Sequence, residues 1–150
     1  MTELLGAPGS NGFGAIISFV AAWFVTQSIK FTIAVHEKGL REAFSLSSKP
    51  GGMPSGHTAG FVAITTFLAL AEGLDSSIFG LAVAVTIVIM YDALHVRFAV
   101  GELGETVKKL AHKVDPKMST PRIMKGHKLT EVLAGLVLGL AIGFAVYLLI

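Results

Sequence analysis

Residues 129–150 read LTEVLAGLVLGLAIGFAVYLLI, and this stretch decides the fold class of the chain. Its only charged residue is Glu131, and a helix of about 20 mostly apolar residues crosses the hydrocarbon core of a bilayer. Gly135, Gly139 and Gly143 recur every four residues, a spacing typical of a helix face that packs closely on another membrane helix. The stretch therefore predicts a membrane span with a glycine packing face, which is also the expected contact of a homo-oligomer.

The composition of the whole chain favours a membrane protein. The 150 residues are 53% hydrophobic and 15% charged, with a mean hydropathy of +0.71, so a soluble domain would leave too much apolar surface unburied. The absence of cysteine excludes a disulfide framework, a cysteine nucleophile and a thiolate zinc site. The formal net charge of +2 is too small to indicate a nucleic-acid partner.

Three further uncharged stretches, Phe13–Ile29, Thr58–Ala71 and Ile78–Tyr91, predict the remaining spans. The last two are short for single spans and are separated by the polar turn Glu72–Asp75, so they predict a helical hairpin that borrows flanking residues. Together with Leu129–Ile150, these stretches predict an all-α fold. We expect a polytopic bundle of about four transmembrane helices, formed as a single domain by residues 1–150.

The basic residues are concentrated in two segments, Phe31–Gly52 and Arg97–Lys128, which the four spans place outside the membrane on one side. With Lys30, these segments hold all 12 Lys and Arg residues. Because basic residues concentrate in cytoplasmic loops, the pattern predicts that both segments are cytoplasmic and that both chain ends lie on the opposite side. Within the second segment, Glu102–His112 predicts an amphipathic helix on the membrane surface. The residues expected to face lipid are Leu103, Val107 and Leu110.

The segment Gly51–His57 stands directly before the second apolar helix. Its small residues would let backbone amides approach an anion at the positively polarised start of that helix, and phosphate fits such a site. The alternative is a plain glycine-rich turn in which Ser55 caps the helix. The position of His57 at the mouth of the segment favours the anion site.

His127 and Glu131 are four residues apart at the head of the last span. On one helix face, the carboxylate can accept a hydrogen bond from one imidazole nitrogen and leave the other nitrogen free. Such a pair suits a nucleophile or a general base. The alternative is an interfacial histidine beside a snorkelling glutamate.

Asp92 stands at the end of the third span, where a carboxylate needs a cation or hydrogen-bond donors. Arg97 and Lys30 are its natural partners, in a functional pair or in a merely structural one. His95, three residues further on, could share a face with Asp92, which raises an alternative metal site. The ligands of that alternative site would be His57, Asp92, His127 and Glu131.

Several motifs, taken together, resemble the type 2 phosphatidic acid phosphatase superfamily, which includes the vanadium haloperoxidases, and above all its divergent membrane branch. The motifs are Ala22-Trp23 with Gln27 and Lys30, then Gly51–His57, Met90–Ala93 with Val96-Arg97, and His127–Gly139. The resemblance implies an all-helical fold and hydrolysis of a phosphate or diphosphate monoester through a phosphohistidine, with no metal or cofactor.

In such a scheme His127 would be the nucleophile, Glu131 would orient it, and His57 would protonate the leaving oxygen. The groups implied to hold the phosphoryl oxygens are Lys30, Ser55, the amide of Gly56, and either Arg97 or Arg122, with Asp92 in a supporting role. The main family places an Arg-Pro pair after its lysine, an arginine six residues before its nucleophile and an aspartate four after. Here that pair is missing, Arg122 lies five residues before the histidine, and Glu131 replaces the aspartate, so the choice of arginine stays open.

These observations together predict a membrane phosphatase of the acid-phosphatase type. Its expected partner is the phosphate of a membrane lipid or isoprenoid, and its expected location is a prokaryotic cell membrane with the site on the cytoplasmic side. Two alternatives remain: a non-catalytic protein that binds or transports a phosphate or lipid, and a structural membrane subunit that packs through its glycines.

Overall fold

The computed structural model describes residues 12–41, 43, 52–115, 117–120 and 126–150, and it is all-α with no strand among them. The elements in chain order are α1 (Gly12–Lys38), α2 (Gly56–Glu72), α3 (Ser77–Tyr91), a π-helical segment (Asp92–Val96), α4 (Arg97–Val114) and α5 (Leu129–Leu149). The predicted fold class is therefore confirmed.

In the Gly51–His57 segment, Gly52 has a φ of +83°, a left-handed conformation that favours glycine.

Three helical stretches in the described part of the chain are long and apolar enough to cross a membrane: Gly12–Lys38, Ser77–Val114 and Leu129–Leu149. Helix α2 has 17 residues and is about 26 Å long, a little shorter than a hydrocarbon core of about 30 Å. It nevertheless lies at the centre of the bundle, where it packs against α1, α3 and α5. The chain is thus an integral membrane protein built around an apolar helix that is slightly shorter than the hydrocarbon core.

The bundle buries small residues and turns large apolar residues outward. On α1 the buried residues Gly14, Ser18, Ala22 and Thr26 follow one another every four positions. By contrast, the outward side chains of Phe24 and Val137 are 66% and 65% exposed. Lipid provides an apolar surround for such side chains, whereas close approach of the helices requires small residues at their contacts.

Helix α5 packs on α2 through the predicted glycine face. A Cβ atom added at any of its three glycines would lie 2.5–2.6 Å from a backbone carbonyl oxygen of α2 or its cap, namely those of Ser55, Ala59 and Ala63. Successive glycines meet successive positions of α2, so the two helices run parallel with their backbones in contact. The glycine face is therefore covered within the chain by α2, and the pairing of two chains through it stays a prediction.

Two boundaries differ from the sequence expectation. Helix α1 continues to Lys38, so it extends eight residues into the segment Phe31–Gly52, beyond the span predicted over Phe13–Ile29. These residues contain no helix breaker, His36 and Lys38 complement the carboxyl end of the helix, and Gly39 follows with a φ of +83°. The amphipathic helix predicted over Glu102–His112 is present within the longer α4, which continues α3 without a loop.

We expect Gly139→Ala to destabilise the protein, although alanine is the better helix former. The new methyl group would lie 2.6 Å from the Ala59 carbonyl oxygen, and overpacking of this kind costs about 1–3 kcal/mol. Gly80→Ala is the matched control, because nothing lies within 4 Å of a Cβ there and the substitution gains about 0.5–1 kcal/mol of helix stability. Thermal unfolding in detergent measures both. Equal midpoints for the two variants would contradict the backbone contact.

Candidate active site

Four elements bring polar side chains to one end of the bundle: the second half of α1, the head of α2, the π segment with the start of α4, and the head of α5. The Thr26 hydroxyl lies 3.4 Å from the position of a Cβ at Gly56, which sets α1 beside the start of α2. The side chains whose charges act on the His57 imidazole are Arg97, His127, Lys30 and Asp92. The structure therefore gathers residues from across the sequence around His57, which is itself exposed.

The expected bond between His127 and Glu131 is formed, with 2.8 Å between Nδ1 and Oε2. His127 is only 6% exposed. It precedes the helix, which begins at Leu129, so the pair does not share a helix face as the spacing suggested. Glu131 instead reaches back from the third helical position, where its Oε2 also accepts the backbone N–H of Lys128 at 3.2 Å.

The second ring nitrogen of His127, Nε2, remains available. It forms no hydrogen bond within the described part of the chain. With Nδ1–H donated to the Glu131 carboxylate, Nε2 carries the lone pair, which is the arrangement that a nucleophile or a general base requires.

The π segment holds the backbone of His127. The His127 N–H donates to the carbonyl oxygen of Ala93 at 3.2 Å. The preceding residue, Gly126, lies so close to α4 that a Cβ would come 2.4 Å from the Phe98 nitrogen. Neither contact is predicted from the sequence. A glycine directly before the histidine is a signal of close backbone packing, whereas no pattern of residue types indicates the π turn.

The π turn also pairs Asp92 with Arg97. Residues five apart on an α-helix point about 140° away from each other, but the i→i+5 bonding of a π-helix brings them onto one side. The Arg97 amide accordingly bonds to the Asp92 carbonyl, and the Arg97 Nε donates to Asp92 Oδ2 at 2.7 Å. The expected partner of Asp92 is confirmed. Because the Asp92 carboxylate bonds to Nε, the two Nη groups of Arg97 have no hydrogen-bond partner among the described residues.

Ser55 is fully buried and serves as the N-cap of α2. Its Oγ accepts the Thr58 hydroxyl at 3.0 Å and, more weakly, the Thr58 amide at 3.5 Å. Its own amide donates to the Glu131 carbonyl at 2.9 Å and so ties the head of α2 to the head of α5. The capping role is thus realised, and a role of Ser55 in holding phosphate stays a prediction. The amides of Gly56 and His57 have no partner in the described part of the chain.

The cationic side chains at the site are only partly paired with carboxylates. The carboxylates of Glu131 and Asp92 bond to His127 and Arg97, while the Lys30 ammonium interacts with Glu131 at longer range than an ion pair. Arg122 lies outside the described residues. The cations Lys30 and Arg97 thus act on His57, as His127 does, and the free amides of Gly56 and His57 lie at the same helix start. Such a set of donors suits a tetrahedral anion.

A metal site finds no support in the residues that the structure describes, where no group of three His, Cys, Asp or Glu side chains is placed to hold an ion. The ring of His95 stacks on Tyr91 with 4.4 Å between centroids. The Nδ1 atom of His127 is already bonded to Glu131.

Fold and site define a small polytopic membrane protein with a histidine and arginine cluster at one end of its bundle. The chain matches the family described as Divergent PAP2 over residues 13–142 and belongs to that family. It is also similar to the "Uncharacterized membrane protein YuiD" of Bacillus subtilis (strain 168), with 37% identity over 95 residues. That match covers 63% of this chain and 60% of the relative's length. No solved structure matches the chain.

We expect Lys30→Gln and Arg97→Gln each to weaken the binding of phosphate or vanadate about 10-fold or more, because one charge-assisted hydrogen bond contributes about 1.5–3 kcal/mol. Lys38→Gln is the control, since this exposed residue lies eight positions further along α1. Calorimetric titration of the purified protein in detergent measures the three affinities. A uniform loss in all three variants would indicate a diffuse charge effect rather than a site.

Proposed function

We propose that this protein is a membrane phosphatase that hydrolyses a phosphate or diphosphate monoester attached to a lipid or isoprenoid, through a phosphohistidine on His127. The observation that carries the proposal is the largely buried pair of His127 and Glu131, in which Nδ1 bonds to the carboxylate and Nε2 has no hydrogen-bond partner among the described residues. Membership of the Divergent PAP2 family supports the same reaction class by analogy.

In the first step the Nε2 lone pair attacks phosphorus, the P–N bond forms, and the bond from phosphorus to the leaving oxygen breaks. The leaving oxygen takes a proton from the His57 imidazolium, so the alcohol or phosphate departs in a protonated form. The imidazole of His127 becomes positively charged as the bond forms. The Glu131 carboxylate, 2.8 Å from Nδ1, stabilises that charge and keeps the ring oriented.

In the second step a water molecule attacks the phosphorus of the phosphohistidine. It gives a proton to the now neutral His57, the P–N bond breaks, and inorganic phosphate leaves with Nε2 restored. Both steps pass through a phosphoryl group with charge spread over three oxygens. Lys30, the Nη groups of Arg97 and the free amides at the head of α2 are the groups that would neutralise that charge.

The place of the site in the bundle supports this substrate class. The cluster lies toward one end of helices that are long and apolar enough to cross a membrane, and their large apolar side chains are turned outward. In a bilayer, such an end would stand near the lipid headgroups. A phosphate carried on a hydrocarbon anchor would present its head to the cluster without leaving the membrane. A cytoplasmic orientation of the site is part of the proposal and is supported by the concentration of basic residues at the same end.

We expect purified protein to release inorganic phosphate from phosphatidic acid or from an isoprenyl phosphate or diphosphate in mixed micelles. His127→Ala should reduce release to the uncatalysed background, and His57→Ala should reduce kcat by about 10²–10⁴-fold, since it removes the general acid. Release should persist in excess EDTA, because no step passes through a metal.

The control for the histidine variants is His112→Ala, which alters an exposed histidine on α4. Equal release by the parent protein and all three variants would refute the reaction. Binding of phosphate without release, retained in His127→Ala, would instead favour a protein that binds or transports the anion. A complete loss of release in EDTA, restored by added metal, would contradict the proposed mechanism.

The orientation can be tested by single cysteines, since the chain has none of its own. We expect Lys38→Cys, at the site end of α1, to resist a membrane-impermeant maleimide in intact cells and to react after permeabilisation. Asp75→Cys, in the exposed turn between α2 and α3, should react in intact cells. The opposite labelling pattern would place the site on the outer face.

A further inference from the structure

Helix α4 carries an apolar stripe that nothing in the described part of the chain covers. The side chains of the stripe are between 56% and 81% exposed and belong to Val100, Leu103, Val107, Leu110 and Val114. The only described helical element that α4 packs against extensively is the π segment from which it continues. A stripe of this size exposed to water is costly, so another apolar surface is expected to cover it.

The charges of α4 are arranged around this stripe in a defined way. At 100° per residue, Lys108 and Lys113 flank the stripe on its two sides, and Glu102 lies beside Lys113. Glu105 and Lys109 lie on the far face of the helix. Lysines in such positions extend their apolar stems over the edge of the stripe and place their ammonium groups at the level of phosphates. An acidic residue on the far side points to water. Over its whole length α4 carries Arg97 and three lysines against two glutamates, and this excess of positive charge suits an anionic, apolar-backed surface.

The position of α4 relative to the membrane supports the same partner. Helix α3 and the π segment together hold 20 residues and are about 30 Å long, which is the thickness of a hydrocarbon core. The first residue of α4, Arg97, therefore stands where the span leaves the core. From there the nearest large apolar surface is the acyl-chain region of the same leaflet.

We propose that the helix bends at the π segment, a kind of turn at which helices commonly kink, and that α4 then lies in the headgroup layer of an anionic leaflet, with its apolar stripe among the acyl chains and its lysines on lipid phosphates. Interfacial helices are held in this way by apolar burial together with attraction to anionic lipids. One consequence rests on the proposed function: because Arg97 begins α4 and belongs to the site, seating α4 in the leaflet sets the guanidinium at the level of the substrate phosphate.

The alternative to lipid is that a second copy of the chain covers the apolar stripe of α4. The stripe repeats at spacings of three and four, with valine and leucine alternating, as in the seam of a two-stranded coiled coil. In such a pair the positions flanking the seam would be Gly104, Thr106, Ala111 and Lys113. Among these positions only Lys113 is charged, and none carries the acidic side chain that would pair with it across the seam. These positions would therefore not specify a helix pair. The lysines at the borders of the stripe favour lipid phosphate.

Tryptophan fluorescence tests the proposal, because the chain has one tryptophan and Trp23→Phe removes it. In that background, Leu110→Trp reports on the stripe and Glu105→Trp on the opposite face. The protein is reconstituted in vesicles of phosphatidylcholine and phosphatidylglycerol, with or without bromine on the acyl chains. We expect blue-shifted emission and a loss of intensity by bromine for Leu110→Trp, and emission typical of water with little loss for Glu105→Trp.

The role of charge is tested in the same vesicles. Quenching of Leu110→Trp should be stronger with phosphatidylglycerol than with phosphatidylcholine alone, and joint replacement of Lys108, Lys109 and Lys113 by glutamine should remove this difference. No effect of phosphatidylglycerol on the unreplaced protein would overturn the anionic preference. Blue-shifted emission that bromine does not quench, together with a disulfide across Leu110→Cys chains, would show that a second copy covers the stripe. None of these readouts depends on phosphate release.

Discussion

The direct contact of two parallel helix backbones is the constraint on which the rest of this protein depends. Helices α2 and α5 touch where glycines face carbonyl oxygens, and this contact fixes their register along the bundle. The register brings the Ser55 amide onto the Glu131 carbonyl and sets two helix starts side by side at one end. Because both helices begin there, their positive ends act on the same small volume, and an anion between them is favoured by both.

The π segment is the second feature that determines the geometry of the site. One extra residue in the turn pairs a carboxylate with an arginine that an α-helix would hold apart, and the Ala93 carbonyl receives the His127 amide. π turns recur at functional positions because they free backbone groups and redirect side chains without ending a helix. The candidate nucleophile is therefore positioned from both sides, by Glu131 through its ring and by Ala93 through its backbone.

The sequence predicts the fold well because the membrane leaves few choices. Uncharged apolar stretches predict where the helices lie. The four-residue glycine spacing correctly predicts which face of α5 is packed, although it does not predict that α2 covers that face. The pair of His127 and Glu131 is also predictable from spacing, although the carboxylate reaches back to a histidine outside the helix. The extension of α1 to Lys38 does not follow from hydropathy, because polar residues mark the end of an apolar span but do not end a helix, and the backbone stays helical until Gly39. The π turn has no signature in residue types, and the proximity of Lys30 to the site follows only from helix packing.

The shortness of α2 has one further consequence. Its 17 residues fall about 4 Å short of the hydrocarbon thickness, yet longer neighbours surround it, so lipid does not adapt to this mismatch. Its position along the bundle is set instead by packing against those neighbours. A thicker or thinner bilayer would change how α1 and α5 tilt against lipid, while the offset of the head of α2 from the heads of its neighbours would stay a property of the protein. The place of His57 relative to His127 is thereby independent of the thickness of the membrane core.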